Sequence, residues 1–228
     1  MSRYRDEAAA VNWYDELGEG YQTWSAHMSE DIPLLRRAGA GRGRTAGMLD
    51  RARADGIKLG VELELRLGDM RDLLVNDPAA LVCCPFRSLL HLPTWADRRR
   101  TFEAVFRALR PGGRFAWNAF PLDHRAATSL DGQHHSDPVP HTVRYSVGTN
   151  RVDLILDSGA TTSRWWATLN EWLGLIETTG FQLEHAYGGF DQRPLDDGSG
   201  EYVFVCRRPE APKQDLERER RPRRKEDL

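Results

Sequence analysis

The stretch LVCCPFRSLLHLPTWADRRRTFEAVFRALRPGGRFAWNAF, residues 81–120, decides the fold. The run that opens it, ALVCCPF (80–86), is apolar throughout, as expected of a central strand buried on both faces. Thr94 or Asp97 then caps a helix with Trp95, Phe102, Val105, Phe106 and Leu109 on its buried face. Pro111-Gly112-Gly113 stops that helix, and RFAWNAF (114–120) is the next strand. Strand, helix and strand in this order predict an α/β layer with parallel strands.

Upstream, VELELRL (61–67) alternates apolar and charged residues, the pattern of a strand with one wet face, and Gly68-Asp69-Met70 ends it. Thr45 is placed to cap a preceding helix with Met48, Leu49 and Ala52 on its apolar face and Gly56 just beyond its end. Residues 7–28 favour helix, broken at Gly18 and Gly20, and 31–44 form a short apolar turn followed by a Gly/Arg stretch. Downstream, 121–140 is polar and turn-rich and reads as a loop or lid. HTVRYSV, RVDLILD and ATTSRWWAT are alternating runs at hairpin spacing, so 141–168 is an antiparallel insertion, with Trp165 and Trp166 on opposite faces of one strand. Leu169–Thr179 is a helix ended by Gly180, and FQLEHAYGG and EYVFVCRR are a final antiparallel pair. The expected organisation is one domain over 1–208, with 1–44 as N-terminal helices and connection and 121–168 as the cover. Residues 209–228 carry seven basic and six acidic side chains and almost nothing apolar, so a disordered tail is expected there.

A net charge of −2 over 228 residues gives no pull toward nucleic acid or an anionic membrane. No apolar run approaches the roughly 20 residues that span a bilayer, and the first residues hold no secretion-type apolar segment, so a cytoplasmic protein is expected. Three cysteines, Cys83, Cys84 and Cys206, all in apolar runs, read as small core residues rather than a disulfide framework. His124, His134, His135 and His141 have no partners at metal-ligand spacing and read as loop histidines, so no metal is expected.

From Thr45 to Arg208 the order of elements resembles the class I S-adenosylmethionine-dependent methyltransferase family. TAGMLDRARA resembles the helix after that family's second strand, and LELRLGDMRDL its third strand and the adenine-contacting turn. LVCCPF through RFAWNAF, with the Leu-Arg-Pro-Gly-Gly turn, resembles its fourth strand, helix and fifth strand. The resemblance implies a Rossmann-like sheet, mainly parallel with an antiparallel C-terminal edge, that binds S-adenosyl-L-methionine beyond the carboxyl ends of its strands and methylates a small molecule. It implies that Asp69 and Met70 meet the adenine, that Phe86, Arg87 and Ser88 flank the methionine part, and that Tyr14 and Tyr21 close over the cofactor. Read as structure alone, Asp69 caps the following turn, 86–88 is a loop with one aromatic plug, and the tyrosines pack a lid. His91 is the candidate for a polar or general-base role near substrate, against packing or capping.

The family's first strand, glycine-rich loop, helix and second strand need about 30 residues, and only 31–44 separate the N-terminal helices from the MLDRARA helix. Gly39-Ala40-Gly41-Arg42-Gly43 follows IPLLRRA rather than a buried strand, so a flexible connection is expected there ahead of a cofactor nest. With the first strands missing, either VELELRL is expected to pair directly beside ALVCCPF or a partner chain completes the sheet, since buried strand groups need partners. The same absence supports an alternative function, a catalytically inactive relative that serves as a binding module. A nicotinamide-dependent reductase would need the same glycine fingerprint.

Overall fold

The protein's structure, a computed structural model, describes residues 40–43, 46–137 and 139–210. The expected N-terminal helices, residues 31–39 with Gly39, and the tail from 211 onward lie outside the described residues. The main sheet has β3 (Ala79–Cys84), β4 (Leu109–Ala119), β9 (Gln182–Tyr187) and β10 (Tyr202–Arg207) in the order β3-β4-β10-β9. β3 and β4 are parallel, and β10 is antiparallel to both β4 and β9, which is the expected parallel centre with an antiparallel edge.

The crossover helix α2 (Trp95–Ala108) begins where Thr94 accepts a hydrogen bond from the Asp97 amide at 3.0 Å, so Thr94 is the cap. Its inner face, Phe102 and Val105, is buried, but Trp95 is exposed on the first turn with the Arg99 guanidinium over its ring. The expectation of a buried Trp95 therefore fails, because the first helical position points away from the sheet. Helix α4 (Leu169–Thr178) opens with a capping box: the Glu171 amide donates to Thr168 Oγ1 at 3.2 Å and the Thr168 amide to Glu171 Oε2 at 2.6 Å. It buries Trp172, Leu175 and Ile176 against the same side of the sheet. Between helices and sheet, Phe102 stands edge-on to Phe115 and Trp117, and Trp117 stacks on Phe204 at 4.9 Å. Each such fully buried ring contributes roughly 1.5–3 kcal/mol, and the Cys206 thiol in this core is pushed up to about 12 by burial. Cys83 and Cys84 are only half-buried, and all three cysteines are free.

A second, smaller unit holds β1 (Ala40–Gly43), helix α1 (Ala46–Leu59) and β2 (Glu64–Leu67), with β1 and β2 parallel from Ala40 opposite Glu64 to Gly43 opposite Leu67. Two expectations are corrected here. The Gly/Arg stretch is a strand rather than a flexible connection, because the α1 crossover brings it alongside β2, where backbone pairing needs no side chains. VELELRL does not pair beside ALVCCPF: among the described residues β2 pairs only with β1, and β3 only with β4. Among the described residues β3 is thus an edge strand, and with Leu81 40% exposed it is not buried on both faces as expected. Helix α1 also runs through Gly56 and ends before Gly60, at φ 64. Gly56 suits the helix interior because the returning chain passes so close that a Cβ would lie 3.0 Å from the Val61 carbonyl.

The insertion is an antiparallel sheet, β5 (His134–His135), β6 (His141–Ser146), β7 (Arg151–Leu156) and β8 (Thr161–Trp165), in that order, as the alternating runs require. The stretch expected to be loop contains a further helix, α3 (His124–Leu130), capped by Asp123, which accepts from the Arg125 and Ala126 amides. Val143, Val152 and Trp166 pack together on one face of this sheet against Phe120 and Leu122, which follow β4. Trp166 is buried and Trp165 half-buried.

Candidate active site

β3 and β4 run the same way and end at Cys84 and Ala119, and β10, running against them, begins beside that end at Tyr202. Residues 85–91, Asn118–Phe120 and Glu201 therefore gather at the open end of the sheet, where ligands of parallel α/β sheets bind. The turn after β3 is strained. Phe86 and Arg87 both hold φ near 57, a left-handed conformation that costs a residue with a side chain roughly 1–2 kcal/mol.

What holds it is a polar network from distant strands. The Arg87 amide donates to Asn118 Oδ1 at 3.1 Å, and the Arg87 guanidinium donates to Glu201 through Nε at 3.0 Å and Nη2 at 2.5 Å. Asn118 Nδ2 completes the loop, donating to Glu201 Oε1 at 2.7 Å. Glu201 is 9% exposed and Asn118 is buried deeper, so each needs the partner it has. The Arg87 guanidinium lies over the Phe120 ring, and the Ser88 hydroxyl donates to the Pro85 carbonyl at 2.6 Å. Phe86, 38% exposed, stands out from this fixed turn.

The second candidate turn follows β2. Asp69 caps the 3-10 turn Met70–Asp72 by accepting from the Arg71 amide at 2.9 Å, and its carboxylate also binds the Arg71 guanidinium. Arg71 bridges onward to Asp97 in the first turn of α2 at 2.9 Å, and Arg100 reaches Asp72. At Asp97, desolvation works to raise the carboxyl pKa, but hydrogen bonds from Thr94 and Arg71 outweigh it and hold the group below the usual carboxylate range. Met70 and Leu73 lean on the main core. Both turns thus abut the head of α2: one is clamped to Asp97 and Arg100, the other leads into Thr94 through His91. His91 lies 3.2 Å, through Nδ1, from the Ser163 carbonyl of β8, and Arg98 reaches the Trp165 carbonyl. These contacts moor the insertion sheet beside the crevice.

A family model described as a methyltransferase domain matches residues 16–113. The fold matches a S-adenosylmethionine-dependent methyltransferase from Clostridium acetobutylicum with a TM-score of 0.64 and 12% identity, over 75% of this chain and 74% of that one. The chain has the class I methyltransferase fold. Two more methyltransferases share the fold. CalS10 of Micromonospora echinaspora, an amino pentose methyltransferase in a SAM-bound structure, is 17% identical, with a TM-score of 0.51 over 89% of this chain and 99% of that one. The sugar N-methyltransferase KedS8 of Streptoalloteichus is 18% identical, with a TM-score of 0.55 over 92% and 97%. Comparison with curated protein sequences gives no match.

Of the residues the sequence proposed for the site, the structure brings Asp69, Met70, Phe86, Arg87, Ser88 and His91 to one end of the molecule around α2. Tyr14 and Tyr21 lie outside the described residues. His134 pairs with Asp157 at 3.0 Å, His135 stacks on His141, and among the described residues no group of metal-ligating side chains assembles. Asn118 and Glu201 were missed. Asn118 left a signal, a polar residue inside the apolar run RFAWNAF, whereas Glu201, the first residue of EYVFVCRR, reads only as the polar end of a strand.

Proposed function

We propose that this chain is an S-adenosyl-L-methionine-dependent methyltransferase that acts on a small molecule. The observation that carries the reading is the convergence of the Asp69–Met70 and Phe86–Ser88 turns on the head of α2, at the carboxyl ends of the strands. The groups there suit a nucleoside sulfonium: a carboxylate at Asp69, a backbone edge at Met70, and an exposed aromatic ring at Phe86. The cofactor, when bound, supplies an electrophilic methyl group. In this assignment Asp69 accepts from the adenine amino group, Met70 pairs with the ring edge through its backbone, and residues 86–88 wall the methionine side. The insertion at 121–168 covers the acceptor and excludes water, so that rate enhancement comes from proximity and orientation. Facing a carbonyl, His91 Nδ1 carries the ring proton, which makes His91 a tether between cover and crevice lip. An acceptor bearing an amino group is consistent with the sugar methyltransferases that share the fold.

Titration calorimetry with S-adenosyl-L-methionine tests the assignment. Saturable heat, with comparable binding of S-adenosylhomocysteine, is expected. No heat at millimolar ligand would remove it and leave the inactive binding module. That second reading has one observation in its favour: among the described residues no glycine-rich loop follows a strand beside β3, since the Gly/Arg stretch is itself β1, paired with β2.

A further inference from the structure

The network around Glu201 does more than fasten a loop. Glu201 is nearly buried, arises 114 residues after Arg87, and spends its carboxylate on the Arg87 guanidinium and the Asn118 amide. Both of its partners act on the same backbone, since the Arg87 amide donates to the oxygen of that same Asn118. Two consecutive left-handed residues persist only where their surroundings over-determine them, and here three side-chain contacts from β4 and the approach to β10 do so. An electrostatic consequence follows. Arg87 sits at the crevice lip, and the bound cofactor carries a positive sulfonium. An unpaired guanidinium on that wall, its side chain 32% exposed, would repel it more strongly than in open water. Aimed at Arg87 by Asn118, the Glu201 carboxylate cancels the charge while leaving the turn in place.

We propose that Glu201 is a positioning and charge-compensating residue: acting through Arg87 and Asn118, it fixes the Phe86–Arg87 turn and neutralises the wall that faces a sulfonium ligand. This rests on the assignment of residues 86–88 to the methionine side of the cofactor. Arg114–Glu184 provides a control. It is another arginine–glutamate pair, joining the middle of β4 to the first half of β9 through bonds of 2.6 and 3.0 Å, away from the Phe86–Arg87 turn.

The experiment measures affinity for S-adenosyl-L-methionine and for S-adenosylhomocysteine, which has the same shape without the methyl group and its charge. The proteins compared are wild type, Glu201→Gln, Glu184→Gln and the double variant Arg87→Met with Glu201→Gln. Glu201→Gln is expected to lose roughly tenfold more affinity for the sulfonium than for the thioether. Glu184→Gln should keep the wild-type ratio of the two affinities. The double variant, with no charge on either partner, should return to that ratio even where both affinities have fallen. Thermal melting without ligand confirms that each variant folds. If Glu201→Gln itself does not fold, Arg87→Met alone decides: with the compensated pair reduced to an unopposed carboxylate, its ratio should shift toward the sulfonium. Equal losses for both ligands in Glu201→Gln, or an unshifted ratio in Arg87→Met, would overturn the charge role. A wild-type protein that binds neither ligand would overturn the cofactor assignment itself, a result distinct from a ratio that fails to move.

Discussion

Arg71 shows how one side chain ties local chemistry to the site. It binds Asp69, the proposed adenine partner, and Asp97 in the first turn of α2, so the turn after β2 is oriented by a helix that belongs to the main sheet. The Asp97 carboxyl is depressed against the pull of desolvation by hydrogen bonds from Thr94 and Arg71. A carboxyl with a lowered folded-state value stabilises the protein above its unfolded value, about 3.9, and that stability is lost as pH falls through the folded value. Asp97→Asn is therefore expected to flatten the loss of stability below about pH 4, read from urea midpoints across pH. An unchanged acid limb would show that the Asp97 pair does not persist in solution. Gly113 illustrates a residue whose reason was partly legible. The Leu-Arg-Pro-Gly-Gly word announced a helix stop, but the need for glycine comes from packing, since a Cβ there would lie 2.8 Å from the Arg110 carbonyl and 3.0 Å from that of Ala79.

Among the elements, those with a strong local signal were the ones the sequence revealed. Helix α4 is bounded by a capping box and by Gly180 at φ 82, and its observed range, Leu169–Thr178, ends one residue before the expected one. Thr168→Ala breaks that box and is expected to cost about 1 kcal/mol, measured by chemical denaturation. A much smaller loss would mean that the burial of Trp172 and Leu175 alone sets this helix. β6, β7 and β8 were equally readable, because their alternation survives as alternating burial: Val152, Leu154 and Leu156 of β7 point inward and their neighbours outward. The elements that escaped did so for two reasons, an ambiguous local signal or a pairing that is not local. α3 was hidden in a polar stretch whose capping residue, Asp123, also reads as a turn former. β1 carries almost no side-chain pattern and exists through its register with β2. The Glu201 network was invisible for the same reason, since its members come from three segments far apart in the chain.

At the scale of the molecule, apolar surface is distributed unevenly. The core under α2 and α4 seals Leu89, Leu90, Phe102, Phe115 and Trp172, with no side-chain surface left to water worth counting. By contrast, Ile57, Leu59, Val61, Leu67, Leu74, Val75, Leu81 and Phe86 are all exposed, and all fall between the end of α1 and the turn after β3. In this stretch the β1–β2 pair and β3 share no hydrogen-bonded neighbour among the described residues. Stability should then reside almost wholly in the β3-β4-β10-β9 layer. Leu90→Ala removes a fully buried side chain next to Arg87 and is expected to cost about 2–5 kcal/mol through lost transfer energy and a cavity. Leu59→Lys and Leu67→Lys, at 77% and 64% exposed, should each change the unfolding free energy by less than about 0.5 kcal/mol. Urea unfolding of the three variants measures this directly. If either lysine variant loses stability on the scale of Leu90→Ala, the apolar side of the β1–β2 unit is covered in solution, and the sheet is completed by contacts beyond the described residues.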